Sequence, residues 1–227
     1  MFIYQKDGKL NITFDDNKPV KSPAINFDLI KETLIVNDQV IEPTVSESLT
    51  ENLVLPTAEV VTTSKTVVLN GKSISVPDDT AGDGVYCVKK GGYLTIEGEG
   101  IINGVGNNGY NMALWANGGH IVVNGGTITN KGAKSDTIGD PHFDLVYAID
   151  GGVVEINGGF FECETPRWTL NNNNTNPGKI IVKGGSFVGF NPAEAYTDDN
   201  LDNSPVNYVA DGYKVVCKNN IYTVVKI

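Results

Sequence analysis

Four segments of this chain line up without a gap: 91–98 (GGYLTIEG), 118–125 (GGHIVVNG), 151–158 (GGVVEING) and 177–184 (PGKIIVKG). Their starting positions step by 27, 33 and 26 residues. That spacing suits one turn of a β-solenoid and is too short for a strand–helix–strand unit. Strand periodicity assigns the faces. Leu94/Ile96, Ile121/Val123, Val154/Ile156 and Ile180/Val182 point one way and are all aliphatic. Tyr93, Thr95, Glu97, His120, Asn124, Glu155, Lys179 and Lys183 point the other way and are mostly polar. A flat sandwich also alternates, but it has no need for equivalent residues at a nearly constant interval. The expected fold is all-β: a short right-handed parallel β-helix of about four coils.

Beyond the next glycines the ungapped alignment places Ile101, Ile128, Phe161 and Phe187 in one inward column, with Asn103, Asn130, Cys163 and Gly189 two residues later. Before each repeat lies a further apolar strand: 85–88, 112–115 and 145–148. Which of its alternate residues face inward is left open. Each coil thus offers three short strands, with corners of glycine, which tolerates positive φ, or asparagine, which does so better than most residues.

The boundaries read as follows. Residues 1–42 form a small β-rich attachment unit, with a hairpin around Asp7-Gly8 and further strands near Asn37-Asp38. Residues 43–65 turn polar, with Pro43, Pro56 and many Ser, Thr and Glu, and read as a linker, although Val45, Leu49 and Leu53 suit a short helix. Residues 66–84 read as a cap with Asn70-Gly71 as its turn, 85–190 as the β-helix, and 191–227 as an acidic loop followed by a capping hairpin.

Bulk properties exclude several functions. The net charge is −10 and Arg167 is the only arginine, whereas a nucleic-acid grip needs clustered cations. No run of 18 apolar residues exists, so membrane insertion is not expected. The N-terminus has no basic stretch leading into an apolar core, so no secretory signal is expected. Cys87, Cys163 and Cys217 are far apart with no CxxC pair, so neither a metal site nor a redox motif is expected. No cofactor is expected either; Gly104–Gly109 lacks the following helix of a phosphate loop.

The runs 184–192 (GGSFVGFNP) and 207–215 (NYVADGYKV) resemble the C-terminal ends of β-helical fibre and appendage proteins of tailed bacteriophages of gut Bacteroidetes. The likeness spans roughly residues 85–227 and carries no catalytic motif. It implies a non-enzymatic structural virion protein: a homotrimeric head fibre or tail appendage, assembled in the host cytoplasm. Its N-terminal unit would attach to capsid or tail proteins, and its flanks would contact host surface polysaccharide.

The outward aliphatics Val122, Val153 and Ile181 suggest an oligomer interface, and a trimer packed side by side would bury them. Together with Trp115, Trp168 and His120 they are the candidate residues for oligomer or glycan contact. The alternative is a carbohydrate-active β-helix enzyme, either polysaccharide lyase or glycoside hydrolase, which needs paired carboxylates along a groove. Its candidate cluster is Asp136, Asp140, His142, Asp144 and Asp150, with Glu162, Glu164, Arg167 and Trp168 on adjoining coils. Acidic residues in loops are ordinarily solvated, Arg167 reads as a local ion-pair partner of Glu162 and Glu164, and 171–174 (NNNN) reads as an exposed corner. No catalytic residue is expected.

Overall fold

In the computed structural model, the structure describes the backbone of strands within residues 2–41, and residues 45–77, 84–105, 112–131, 144–196 and 205–227 in full apart from the side chains of Val105 and Lys131. The chain divides into two units, Met1–Pro43 and Thr44–Ile227.

In the first unit, β1 (Phe2–Lys6) pairs antiparallel with β2 (Lys9–Thr13). The Asp7-Gly8 turn expected between them lies outside the described residues. A second antiparallel sheet joins β3 (Ile25–Asp28), β4 (Thr33–Val36) and β5 (Gln39–Ile41).

The second unit is all-β and dominated by three parallel sheets that the chain visits in rotation. It runs through β6 (Val45–Ser48), β7 (Leu53–Val54) and β8 (Glu59–Val61), then β9 (Ser64–Val68), β10 (Lys72–Ser75) and β11 (Tyr86–Lys89). Next come β12 (Tyr93–Glu97), β13 (Gly100–Val105), β14 (Leu114–Asn117), β15 (His120–Val123), β16 (Thr127–Lys131) and β17 (Val146–Ile149). They are followed by β18 (Val153–Ile156), β19 (Phe160–Cys163), β20 (Leu170–Asn172), β21 (Lys179–Val182) and β22 (Ser186–Val188). The first sheet runs β6-β9-β12-β15-β18-β21, the second β7-β10-β13-β16-β19-β22 and the third β8-β11-β14-β17-β20. This is a parallel β-helix-like architecture. A hairpin, β23 (Tyr213–Lys218) with β24 (Ile221–Lys226), adds β24 antiparallel to β22.

The register stacks like on like. Lys65, Leu94, Ile121, Val154 and Ile180 follow one another strand by strand in the first sheet, as do Val67, Ile96, Val123, Ile156 and Val182. The aliphatic members are buried in one core. In the third sheet the question left open by the sequence is answered: Tyr86/Val88, Leu114/Ala116 and Val146/Ala148 join that core. Cys87, Trp115 and Tyr147 form the opposite column.

Three sequence expectations need correction. Residues 43–65 are not a linker, and Val45, Leu49 and Leu53 do not line a helix. β6, β7 and β8 begin the three sheets, so the parallel stack starts some forty residues before Val85. The inward periodicity is hidden there because two of the inward positions hold Glu47 and Glu59. Residues 66–84 are not a cap, since β9 lies between β6 and β12, and β10 between β7 and β13. Asn70 and Gly71 do turn the chain, with φ of 51° and 73°, but as a corner between sheets and not as a hairpin.

The third correction is a slip of one residue. Ile102, not Ile101, continues the column of Ile74, Ile128, Phe161 and Phe187. Ile102 is fully buried and Ile101 is 43% exposed. Glu97 follows the inward Ile96, and Gly100 aligns with Gly126 through the pairing of Ile102 with Ile128, so the corner 98–100 carries one residue more than 125–126. One inserted residue exchanges the two faces of everything downstream until the next corner.

The stretch 191–209, expected as a loop, contributes to the core where it is described. Ala195 bridges Val206, Val209 bridges Val182, and Ala195 and Tyr208 are buried.

Candidate interaction face

The outward face of the first sheet carries three columns between its corners. Tyr93, His120, Val153 and Lys179 form one; Thr95, Val122, Glu155 and Ile181 form the next. The third, Glu97, Asn124, Asn157 and Lys183, runs along the corner that follows the strands. Consecutive strands in a parallel sheet lie about 4.8 Å apart, so side chains in one column touch. The imidazole of His120 lies against the Tyr93 ring, centroids 4.6 Å apart. On the other side His120 Nε2 is 3.2 Å from Glu155 Oε1. Lys183 Nζ donates to Glu155 Oε2 at 2.9 Å. At the corner Asn157 Nδ2 donates to Asn124 Oδ1 at 3.0 Å, and Asn124 Nδ2 to Glu97 Oε1 at 3.4 Å.

Electrostatics follow from this geometry. The hydrogen bond from Lys183, aided by the positive charge of Lys183 and by His120, holds the Glu155 carboxyl below the usual carboxylate range despite partial burial. The same bond holds Lys183 above the usual lysine range. Glu155 thus crosslinks three successive strands on the outside of the sheet: β15, its own β18, and the residue just after β21.

Within this network sit the predicted aliphatics. Val153 and Ile181 are half-buried; Val153 lies two residues before Glu155 on the same strand, and Ile181 lies directly opposite Glu155 on the next. Val122 is a partial correction: it points outward as expected, yet it is only 8% exposed. It lies between Thr95 and Glu155 in its column, and those neighbours cover it. The face therefore brings together His120, Val122, Val153 and Ile181, with Tyr93 its most exposed large apolar group.

The two tryptophans lie elsewhere. Trp115 is in the outward column of the third sheet, half-buried, with Lys89 Nζ 5.0 Å from its ring and the Tyr147 ring 6.5 Å away. Trp168 is fully buried, which corrects its reading as a contact residue. It ends the short 3-10 turn Pro166–Trp168 just before β20, and the Arg167 guanidinium covers its ring at 5.5 Å and the Tyr196 ring at 5.0 Å.

Of the carboxylate cluster considered for catalysis, Asp136, Asp140 and His142 lie outside the described residues. Asp144 is buried, and its Oδ1 accepts from Asn171 Nδ2 at 3.0 Å. Asp150 sits at an exposed corner with φ of 54°. Glu162 and Glu164 are exposed. The run 171–174 is more than an exposed corner: Asn171 is fully buried, and Asn172 Oδ1 accepts from the Gly178 N–H at 2.8 Å. Asn173 Oδ1 accepts from the N–H groups of Thr175 and Asn176. No group of three or more potential metal ligands is found among the described residues.

What the sequence did not reveal is an ion cluster inside the first strands. Lys65 Nζ lies 2.7 Å from Glu47 Oε2 and 2.5 Å from Glu59 Oε1. The Tyr86 ring lies 5.7 Å from the same ammonium. Burial pulls the Lys65 ammonium down, but the hydrogen bonds to Glu47 and Glu59 outweigh it and raise it above the usual lysine range. Continuing the column of Leu94 back by one strand would have reached Lys65, had the strand been recognised. No family model, no curated protein and no solved structure matches this chain.

Proposed function

We propose that this chain is a structural fibre subunit of a bacteriophage particle, associating side by side into a homotrimer through the outward face of its first sheet. The observation that carries this reading is the pair of partly exposed aliphatics Val153 and Ile181, on successive strands of the outward face beside the Tyr93–His120 pair. β-branched side chains on neighbouring strands of the outer face of a rigid sheet suit a partner of the same repeat, because rung spacing then matches on both sides. The resemblance of 184–192 and 207–215 to β-helical appendages of tailed bacteriophages supports the same reading.

The finer architecture belongs to this proposal. We take the stack as a right-handed helix of six turns, since parallel strands in one sheet are joined with right-handed crossovers in nearly all proteins. The hairpin β23–β24, laid antiparallel on β22, closes its C-terminal end. Residues 1–43 attach the fibre to a capsid or tail protein, and the flanks contact host surface polysaccharide.

The test is the mass of the full chain in solution at micromolar concentration, by light scattering after size exclusion. The expected result is three times the chain mass of 24.3 kDa. Val153→Asp with Ile181→Asp returns it to a single chain mass. A single chain mass for the unaltered protein refutes the trimer. Release of oligosaccharide from host polysaccharide would favour the carbohydrate-active enzyme instead.

A further inference from the structure

The N-terminal end of the stack combines two features that pull in opposite directions. Among the described residues, β6, β7 and β8 each stand at the end of their sheet, with one backbone edge unpaired. Each strand also carries an exposed valine: Val45, Val54 and Val60. Three open edges with an apolar rim are a template for adding strands from another copy.

Inside that rim, the columns change character. In the first sheet, the position held by Leu94, Ile121, Val154 and Ile180 further along the stack is held by Lys65. The position of Val67, Ile96, Val123 and Ile156 is held by Glu47. In the third sheet, the position of Tyr86, Leu114, Val146 and Leu170 is held by Glu59. The three charges meet at Lys65, whose side chain is only 13% exposed, and the two carboxylates keep about a third of their surface in water. The Tyr86 ring closes the cluster on the core side.

We infer that Glu47, Lys65 and Glu59 form a charged stopper that bars a second copy from stacking onto the N-terminal end of the solenoid. Another rung laid over this end would strip water from two carboxylates sharing one ammonium. No partner in an aliphatic rung replaces that water, and a second copy meeting end to end brings the same surplus of negative charge. Desolvation of a charged cluster commonly exceeds what its internal attraction returns. Apolar columns in these positions would instead continue into the neighbour. The stopper leaves side-by-side association untouched, so it stands whether or not the trimer does.

The experiment uses the full chain. Glu47→Val, Lys65→Leu and Glu59→Leu together extend the aliphatic columns to the rim. The expected result is a mass at least twice that of the unaltered protein at equal micromolar concentration, rising with concentration, with elongated particles by electron microscopy. A triple variant that keeps the parent's β-type circular dichroism and the parent's mass overturns the stopper.

Should the triple variant fail to fold, the exposed rim gives a second reading. Val54→Asp with Val60→Asp adds charge at an end that is already barred, and leaves the mass of the unaltered protein unchanged. A drop in mass shows that the end mediates association and overturns the inference.

Discussion

Gly151 and Gly152 are adjacent in sequence and lie at the same corner, yet alanine fails at each for a different reason. Gly151 has φ of 76°, and a Cβ there meets nothing within 4 Å. Gly151→Ala pays only the left-handed backbone penalty, about 1–2 kcal/mol. Gly152 is outside the left-handed region, but its Cβ would sit 2.2 Å from the Ala116 carbonyl oxygen and 2.7 Å from its carbon. Ala116 belongs to the preceding strand of the third sheet and is 36 residues earlier in sequence. Backbone cannot swing aside as a side chain does, so relief requires the two layers to separate by about 1 Å. That strains the hydrogen bonds that join these layers, from Val153 N–H to the Gly119 oxygen at 2.8 Å and from Gly118 N–H to the Ile149 oxygen at 3.1 Å. At about 1 kcal/mol for each weakened bond, added to overpacking of about 1–3 kcal/mol, Gly152→Ala costs about 3–5 kcal/mol. The assay is urea unfolding at 25 °C followed by circular dichroism and tryptophan fluorescence. A Gly151→Ala loss equal to or larger than that of Gly152→Ala would refute the close approach of the two layers.

The register slip predicts a contrast at neighbouring isoleucines. Ile101→Asp changes stability by no more than about 0.5 kcal/mol, as at other surface sites, whereas Ile102→Asp buries a charge without a partner and costs more than about 4 kcal/mol by the same unfolding measurement. The Glu155 network predicts a pH signature. Its carboxyl is held below the usual range in the folded state, so its stabilising contribution is present above the unfolded glutamate value of about 4.3 and fades as pH falls through the folded value. Glu155→Gln therefore melts at a lower temperature than the parent at pH 7, and the gap narrows and closes as the pH falls through the folded value. A gap that widens on acidification contradicts the pairing with Lys183.

How much was legible varies from sheet to sheet, for physical reasons. The inward columns from Leu94 to Ile180 were readable because the first sheet keeps one register from strand to strand and places mostly polar groups outside. In the third sheet the strands are apolar on both faces, as in Val146-Tyr147-Ala148, so alternation carries no direction. Only the core partners distinguish Val146 from Tyr147. The second sheet was misread for one layer because Glu99 adds a residue at a corner, which no local pattern marks. The first strands were missed because charges hold inward positions: Glu47 and Glu59 look solvated until Lys65, from the next layer, is placed between them. Trp168 and Asp144 were judged by residue type in irregular segments. Their burial depends on contacts such as Asp144 with Asn171, across 27 residues, that local sequence does not encode.

The most direct test of the stacking is a methyl–methyl nuclear Overhauser experiment on protein selectively labelled at Leu, Ile and Val. Adjacent layers about 4.8 Å apart predict cross-peaks from Ile121 to both Leu94 and Val154, and from Ile180 to Val154, with none between Leu94 and Ile180. Strong Leu94–Ile180 peaks, or the absence of Ile121 peaks to both neighbours, would contradict a chain whose successive turns lie directly over one another.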